Sequence, residues 1–222
     1  GGTRYGSGRR TCCEDGVRAP HSGNRMKETI ECFQVVKDAG LKFCAHIMPG
    51  QPGSTREMDL ETFRQIFSDP RFGPDMLKIY PTLVIAGTAL HKQWQLGKFQ
   101  AIEEEEAVKL IVKATKIMPR WLRVNRVERD IPSPRIEAGI RKLNLREMVD
   151  ARLAEEGIKC PCIRCREAGH VANKQNRPPP RFSLRRTTHA SAGGTGHFLE
   201  IEDPEMDLPI VFARFRPPSP FP

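Results

Sequence analysis

A regular alternation of helix-like and strand-like segments between residues 25 and 132 constrains the fold of this chain more than any other feature. Apolar residues recur at helical spacing from Met26, and this pattern stops at Gly40. A short apolar run suited to a buried parallel strand follows over 41–48. The same order then repeats twice. Such a pattern is typical of a parallel α/β sheet or barrel, in which functional groups gather at the carboxyl ends of the strands.

The second repeat has clear start and stop signals. Ser54 and Glu57 have the spacing of a capping box, which places the start of a second helix near Thr55. The run 76–85 is predicted to be a second strand, in which Pro81 ends the pairing because it has no backbone donor. We expect the loop after it to face a site.

A third helix and a third strand complete the pattern. Four successive glutamates at 103–106 open the helix, where the helix dipole favours negative charge, so we assign them no chemistry. Apolar and polar residues alternate over 121–127, as in a strand, and a further helix is predicted over 144–156. Three strands do not close a barrel, so the sequence predicts an α/β fold with part of a parallel sheet or barrel.

The two ends of the chain differ from its middle. Residues 1–23 are rich in Gly, Arg and Ser without periodicity and are expected to be a flexible leader. The stretch 176–186 contains three successive prolines and is predicted to be a linker. Residues 197–216 are predicted to form two short strands around a turn at Asp203 and Pro204.

The positive charge is concentrated in one part of the chain. The formal net charge is +9, and residues 120–186 alone hold 17 Lys and Arg against 8 Asp and Glu. Residues 1–119 have a net charge of +3, and residues 187–222 have a net charge of −3. So local an excess favours a polyanionic partner, most simply nucleic acid, with a solvated basic face as the alternative.

The composition argues against several classes of protein. Hydrophobic residues make up 38% of the chain, enough for one ordinary core, and the mean hydropathy is −0.49. No run reaches the ~18 apolar residues that a membrane helix needs, and the first residues lack a secretory signal. Seven cysteines, an odd number, make a poor disulfide framework. We therefore expect a soluble cytoplasmic protein with no membrane partner.

The strongest local motif is a C-x-C-x2-C-x4-H arrangement. It consists of Cys160, Cys162, Cys165 and His170. Three thiolates and an imidazole can close a tetrahedral zinc shell, and the tight spacing lets them converge on a loop. Water is the alternative to His170 as the fourth ligand. An iron–sulfur cluster is the rival interpretation, but it would need a distant cysteine such as Cys32 or Cys44.

Arginines recur at a spacing of three around Trp121 and continue into the cysteine motif. On a strand this spacing alternates faces, so some of these side chains point inward and need an acidic partner or a bound phosphate. Arginines around a zinc loop are a common way to build a surface that binds RNA. The predicted RNA-binding residues are Arg123, Arg126, Arg129, Lys142, Arg146, Arg164 and Arg166.

Lys78 and Tyr80 are polar groups at the end of the second predicted strand. A role in a pocket and a position at a sheet edge are equally compatible with their spacing. His46, on the preceding strand, could share the pocket, although a single histidine in an apolar strand is more often a core residue.

Four phrases of the chain, read together, carry a resemblance to a known family. They are AHIMPGQPGSTREMDLETFRQIFSDPRFGPDMLKIYPTLV, RVERDIP, NLREM and GIKCPCIRCREAGH. The chain resembles the catalytic subunit of Elongator, the radical-SAM tRNA uridine acetyltransferase family, from about Met26 to His170. The resemblance continues, less strongly, through EDPEMDLPIVFARFR to Arg216.

This resemblance implies both the architecture and the reaction. The family combines a radical-SAM barrel of TIM-like form, a zinc-bearing linker and a GNAT-type acetyltransferase domain. It forms 5-carboxymethyluridine at the tRNA wobble position with S-adenosylmethionine, a 4Fe-4S cluster and acetyl-CoA. The implied partners are tRNA and, in eukaryotes, other Elongator subunits. Lys78 and Tyr80 would line the barrel pocket.

The resemblance also divides the chain into parts. Residues 1–24 would be an unmatched leader, 25–132 the later part of the barrel, 133–186 the helical zinc linker and 187–222 the start of the acetyltransferase domain. The cysteine motif for the iron–sulfur cluster and the glycine-rich acetyl-CoA loop are not found in this sequence. We therefore expect an incomplete, inactive fragment. A non-enzymatic zinc-ribbon protein that binds RNA or acts as an adaptor is the alternative.

Overall fold

The computed structural model describes residues 4–6, 26–127, 131–169 and 181–219. The helices in these ranges are α1 (Met26–Asp38), α2 (Arg56–Ser68), α3 (Ala89–Gln95), α4 (Glu104–Lys116), α5 (Leu145–Glu155) and α6 (Ile163–Arg166). The strands are β1 (Arg4–Gly6), β2 (Cys44–Met48), β3 (Met76–Ile79), β4 (Val84–Ile85), β5 (Arg123–Val127), β6 (Ile136–Ala138), β7 (Ser183–Ser191), β8 (Gly194–Asp203) and β9 (Leu208–Phe215). None of the helices in these ranges is long and apolar enough to cross a bilayer. Arg129 and His170 lie outside the described residues, as do most of residues 1–24.

A parallel sheet forms the centre of the molecule. Its strands follow the order β1-β2-β3-β5, and every neighbouring pair is parallel. Helix α2 lies on the connection from β2 to β3, and α4 lies on the connection from β3 to β5, as parallel pairing requires. The predicted α/β class is therefore confirmed, and so are the three predicted helix–strand pairs.

One face of this sheet packs against the helices. Alternate strand residues are buried on that face, namely Ala45, Ile47, Leu77, Ile79 and Val124. Phe33 of α1, Phe63 of α2 and Ile111 of α4 are buried in the same cluster. Burial of a large apolar side chain contributes about 1.5–3 kcal/mol, so this face stabilises the fold. The strand residues between the buried ones lie half-buried on the opposite face.

The run predicted as one strand over 76–85 is two strands in two sheets. Strand β3 ends at Ile79, and β4 pairs antiparallel with β6 in a separate two-stranded sheet. Pro81 lies in the break, because its ring nitrogen cannot donate to the ladder. The loop and helix that follow are held by Thr88, whose side chain caps α3 by accepting from the backbone of His91.

The three C-terminal strands form an antiparallel sheet. The predicted pair of strands around Asp203 and Pro204 is confirmed by β8 and β9. The predicted linker over 176–186 is wrong from Ser183 onward, because β7 begins there and pairs with β8 along its whole length. Most side chains of β7 are exposed, and buried apolar residues do not alternate along it. The strand therefore depends on its backbone hydrogen bonds to β8.

A tight turn of the antiparallel sheet docks on the loop after α2. The backbone N–H of Ala192 donates to the carbonyl of Phe72 at 2.7 Å, and that of Gly193 donates to the carbonyl of Pro70 at 3.1 Å. Gly73 has a φ of +81°, and a Cβ there would lie 2.8 Å from the Ala190 carbonyl. Glycine is therefore required where the two sheets meet.

Candidate metal centre and nucleic-acid interface

Cys160, Cys162 and Cys165 form a compact cluster of sulfur atoms. Their Sγ atoms all lie within 4.8 Å of one another. Helix α6 begins directly after Cys162, and the backbone N–H of Cys165 donates to the Cys162 carbonyl at 3.1 Å, so one turn returns the third thiol to the first two. Among the described residues, neither Cys32 nor Cys44 joins this cluster. Three converging thiols are a donor set for a soft divalent metal.

Hydrogen bonds concentrate negative charge on one of these sulfurs. Hydrogen bonds from Cys160 and Cys165, helped by backbone N–H groups, lower the pKa of Cys162. Hydrogen bonding to Cys162, together with burial, raises the pKa of Cys160. For Cys165 the hydrogen bond with Cys160 lowers the pKa, but the Cys162 neighbour and burial outweigh it and raise the pKa overall. A bound cation would release the remaining protons, since thiolates are the ligand form.

A guanidinium group fastens the cysteine loop to β5. Arg146 of α5 donates to Sγ of Cys165 at 3.1 Å and to the carbonyl of Val124 at 3.4 Å. The backbone N–H of Ile163 donates to the Leu122 carbonyl at 3.0 Å. Arg146, which the sequence predicts as an RNA contact, therefore faces the sulfur cluster. A cation beside thiolates stabilises their charge, so Arg146 fits a supporting position around a metal.

Three basic side chains lie next to one another on the half-buried face of the parallel sheet. His46 is opposite Lys78 in the register, and Lys78 is opposite Arg126. Neighbouring strands are about 4.8 Å apart, so these residues form a short row across three strands, which we call the basic row. The ring of Tyr80 meets that of His46 edge-on at 4.3 Å. The structure thus brings the predicted pocket residues Lys78 and Tyr80 together with His46 and Arg126.

Sulfur-containing side chains lie on the same face, one step before the basic row. Cys44 is opposite Met76, and the Asn125 amide donates to Met76 Sδ at 3.4 Å and to Cys44 Sγ at 3.9 Å. The register between β3 and β5 shifts here, which leaves Asn125 as an extra residue. Burial raises the pKa of Cys44, so its thiol stays protonated at neutral pH.

A buried carboxylate shapes the loop at the carboxyl end of β2. Asp59 of α2 accepts the backbone N–H of Gly50 at 2.9 Å and the hydroxyl of Ser54 at 2.6 Å, and it is fully buried. The sequence reasoning missed this residue. The spacing in the sequence could have identified it, because Asp59 lies on the same helix face as Phe63 and Ile66, where an apolar residue is expected. A carboxylate buried at such a position needs hydrogen-bond partners nearby.

Arg166 is buried, which corrects its prediction as a residue that faces RNA. Its guanidinium donates to Glu200 Oε1 at 2.9 Å and to the carbonyls of Pro161 and Arg120. Glu200 is fully buried on β8. A buried carboxylate needs a cationic partner. In the sequence, the feature that could have indicated this pairing is the group of acidic residues in the last 36 positions.

Other predicted RNA-binding residues stay nearer the surface. Arg123 pairs with Glu167 at 3.1 Å, and Lys142 pairs with Glu104 at 2.8 Å. Arg164 is exposed and donates to the carbonyl of Asn125 at 2.7 Å, so it lies beside the middle of β5. Exposed ion pairs are worth less than about 1 kcal/mol and can be exchanged for a phosphate partner.

Comparison with known proteins identifies relatives of the whole chain. Residues 74–155 match the Radical_SAM C-terminal domain family. The chain is 44% identical, over 98% of its length, to a protein named tRNA uridine(34) acetyltransferase from Methanocaldococcus jannaschii. It is 38% identical, over 97% of its length, to Elongator complex protein 3 from Homo sapiens. Because these two alignments cover 97–98% of the chain, they include at least part of residues 1–24, the range expected to be an unmatched leader.

A solved structure gives the same result for the fold. The chain is similar to an archaeal Methanocaldococcus infernus Elp3 with an N-terminal deletion, with a TM-score of 0.85 and 45% identity over 91% of this chain. The matched region is 48% of that structure. The chain spans 41% of the length of the M. jannaschii protein and 40% of the human protein.

Proposed function

Because this chain is homologous over nearly its whole length to a segment of the tRNA uridine(34) acetyltransferases and Elongator complex protein 3, we propose that it is the corresponding part of a tRNA-modifying acetyltransferase. The observation that carries this proposal is the placement of Lys78 and Arg126 together on one open sheet face. That face lies in the region matched by the radical-SAM domain family.

The strand order supports a barrel rather than a doubly wound sheet. The order β1-β2-β3-β5 runs in one direction along the chain, whereas a doubly wound sheet reverses at a switch point. In a barrel the helices cover the outer face, and the half-buried face lines the interior. Strand β1, which lies within the part expected to be a flexible leader, and residues 25–132 would then be barrel. Residues 133–186 would be a zinc linker, and 187–222 the start of a GNAT-type acetyltransferase domain.

The sulfur cluster fits a structural zinc ion. Cys160, Cys162 and Cys165 would supply three thiolates, with His170 as the fourth ligand, and Arg146 would offset their negative charge. Zinc would lock α6 against the start of β5, since the backbone N–H of Ile163 donates to the carbonyl of Leu122, the residue directly before that strand.

Elemental analysis of the purified protein tests the zinc site. We expect about one zinc per chain in the wild type and almost none in Cys162→Ser, because a buried ligand is removed. Cys32→Ser, on α1 and outside the cluster, is the matched control and should keep its zinc. Equal zinc content in the two variants would contradict the assignment.

The basic row fits the phosphates of a tRNA loop. Lys78 and Arg126 supply adjacent cations on neighbouring strands, and Arg164 is bound to the carbonyl of Asn125, the residue before Arg126. The edge-on pair of Tyr80 and His46 offers ring surface on which an unpaired base can stack. These residues would bind and orient the wobble uridine.

The complete protein would need further groups. S-adenosylmethionine with a 4Fe-4S cluster would supply radical chemistry, and acetyl-CoA would supply the two-carbon unit, for forming 5-carboxymethyluridine. In such a protein this chain's residues bind the RNA and hold the uridine against the sheet face. Other subunits of an Elongator complex are the proposed partners in a eukaryotic setting.

Salt-dependent binding of a tRNA anticodon stem-loop tests the RNA part of the proposal. We expect affinity to fall linearly on a logarithmic plot against salt concentration, with a slope of roughly −0.7 to −0.9 for each phosphate contact. Affinity that does not change with salt would contradict electrostatic binding. A duplex DNA of equal length serves as the comparison for specificity.

A further inference from the structure

A groove lies at the amino ends of the parallel strands, before the point along the strands where the basic row lies. It has a volume of about 590 Å³ and runs between the amino ends of β2 and β3 and the antiparallel sheet. Lys42, two residues before β2, and Asp75, directly before β3, line it from one side, while Arg214 and Phe215 line it from β9. The groove is therefore separate from the face proposed to hold the uridine.

Buried cations outnumber buried anions in this groove. The side chains of Lys37 and Arg214 share one carboxylate, that of Asp75, at 2.7 Å and 3.5 Å. Arg216 pairs with Asp38. Lys37, Arg214 and Arg216 are each at least 87% buried, so one positive charge is held out of water without a matching acid among the described residues. A bound anion would offset the cost of this charge.

One buried polar atom at the groove also has open hydrogen-bonding capacity. Within the described part of the chain, Nδ1 of His189 has no hydrogen-bond partner, whereas Nε of Arg214 faces the Asp75 carboxylate in the ion pair described above. The His189 ring is stacked on Trp121, with centroids 4.0 Å apart, so its position is fixed. Buried polar groups usually find partners, and a ligand group or a water would satisfy this atom.

Aromatic rings line the outer side of the same groove. Phe212 and Phe215 of β9 both border it, and the Phe215 ring lies nearly parallel to that of His197, with centroids 6.1 Å apart. Phe215 is 61% exposed. Cations beside exposed rings form the combination that binds a phosphate together with a planar base.

We propose that this groove binds a nucleotide, with its phosphate directed toward Lys42 and Arg214 and its base against Phe215. The volume suits one nucleotide rather than a longer ligand. The same chemistry is offered by a free nucleotide and by a single nucleotide of an RNA strand. The inference stands on the groove alone and does not depend on the proposed uridine site.

Calorimetric titration of the protein with AMP tests this proposal. We expect one AMP per chain and about tenfold weaker binding in Lys42→Glu, because a charged hydrogen bond to phosphate is lost. Lys27→Glu is the matched control, since Lys27 is an exposed lysine near the start of α1 and outside the groove. It should change AMP affinity less than twofold.

A second pair of variants tests the position of the base. Phe215→Ala should weaken AMP binding at least about fivefold and leave inorganic phosphate binding unchanged, because only the stacking surface is removed. Val211→Ala, at an exposed position of the same strand that does not line the groove, should affect neither ligand. All four variants change exposed side chains, so each should keep the wild-type melting temperature.

The results separate the outcomes clearly. A uridine oligonucleotide that binds more tightly than AMP and is weakened by Lys42→Glu identifies RNA as the source, and equal affinities identify a free nucleotide. Absence of AMP binding at millimolar concentration overturns the proposal. Equal effects of Lys42→Glu and Lys27→Glu, or no effect of Phe215→Ala, also overturn it.

Discussion

Two sets of basic side chains in this molecule have the same charge and opposite uses. The buried arginines, Arg166, Arg214 and Arg216, are at least 87% buried and pair with carboxylates of the same chain. The open basic residues, Lys78, Arg126 and Arg164, lie on or beside the half-buried face of the parallel sheet. Of the two sets, only the second lies on the face proposed to meet RNA, so the net charge of a segment overstates its surface for RNA.

The acidic residues of β8 explain the difference. Glu200 and Glu202 are almost completely buried and face Arg120 and Arg166 across the junction between the two sheets. The negative C-terminal segment therefore neutralises part of the positive middle segment within the fold. The comparison predicts large stability effects for the buried set and effects on affinity alone for the open set.

The largest expected effect comes from removing the carboxylate that partners Arg166. Glu200→Ala should destabilise the protein by about 3–5 kcal/mol, because it removes the only fully buried carboxylate that pairs with the Arg166 guanidinium in the described part of the chain. Glu205→Ala is the matched control: its side chain is 60% exposed and, among the described residues, its ion pair is with exposed Arg181. It should cost less than about 1 kcal/mol. Urea unfolding measures the free energy of unfolding of both variants. Equal losses of stability would contradict a larger contribution from the buried pair.

A smaller effect is expected at the junction of the two sheets. Gly73→Ala places a Cβ 2.8 Å from a backbone carbonyl and forces a φ of +81°, so we expect a loss of about 2 kcal/mol or more. Gly97→Ala has a similar φ of +68° with open space around it, and it should cost only the backbone strain of about 1 kcal/mol. Thermal unfolding that gives the same shift for both variants would count against close docking of the antiparallel sheet.

A third effect, seen only on acidification, is a pH dependence from His189. Burial, and then the positive charge of Lys37, lower the pKa of His189 to about 4, although Asp75 opposes this. Arg214 and His197 lower it further. The unfolded state takes up the proton first, so stability is complete above about pH 6.5 and falls as the pH drops toward 4. The melting temperature of His189→Gln, compared with the wild type from pH 7 to 4.5, should fall less steeply. Parallel curves would remove His189 as a source of this dependence.

Local signals in the sequence were enough for much of the fold. Apolar spacing and start signals predicted α2 and α4 within one or two residues, although the N-cap of α2 is Thr55, which accepts from the backbone of Met58, and not the predicted Ser54. Cys160, Cys162 and Cys165 converge as their spacing indicated. These features depend on contacts between residues close in the chain, which periodicity and spacing record.

Features that depend on long-range pairing could not be predicted in this way. The alignment of His46, Lys78 and Arg126 is set by strand register, including a shift between β3 and β5. The burial of Arg166 depends on Glu200, 34 positions away. Strand β7 is mostly polar and becomes a strand because β8 offers it a complete ladder. Each case requires knowledge of a partner that lies far along the chain.

Binding of a tRNA anticodon stem-loop to a matched pair of arginine variants tests the central claim most directly. Arg126→Gln removes a charge from the basic row, and Arg181→Gln removes an exposed charge before β7. We expect Arg126→Gln to weaken binding and to reduce the salt slope by about one, while Arg181→Gln leaves both unchanged. Equal effects of the two variants, or no effect of Arg126→Gln, would contradict the assignment of RNA binding to the open face of the sheet.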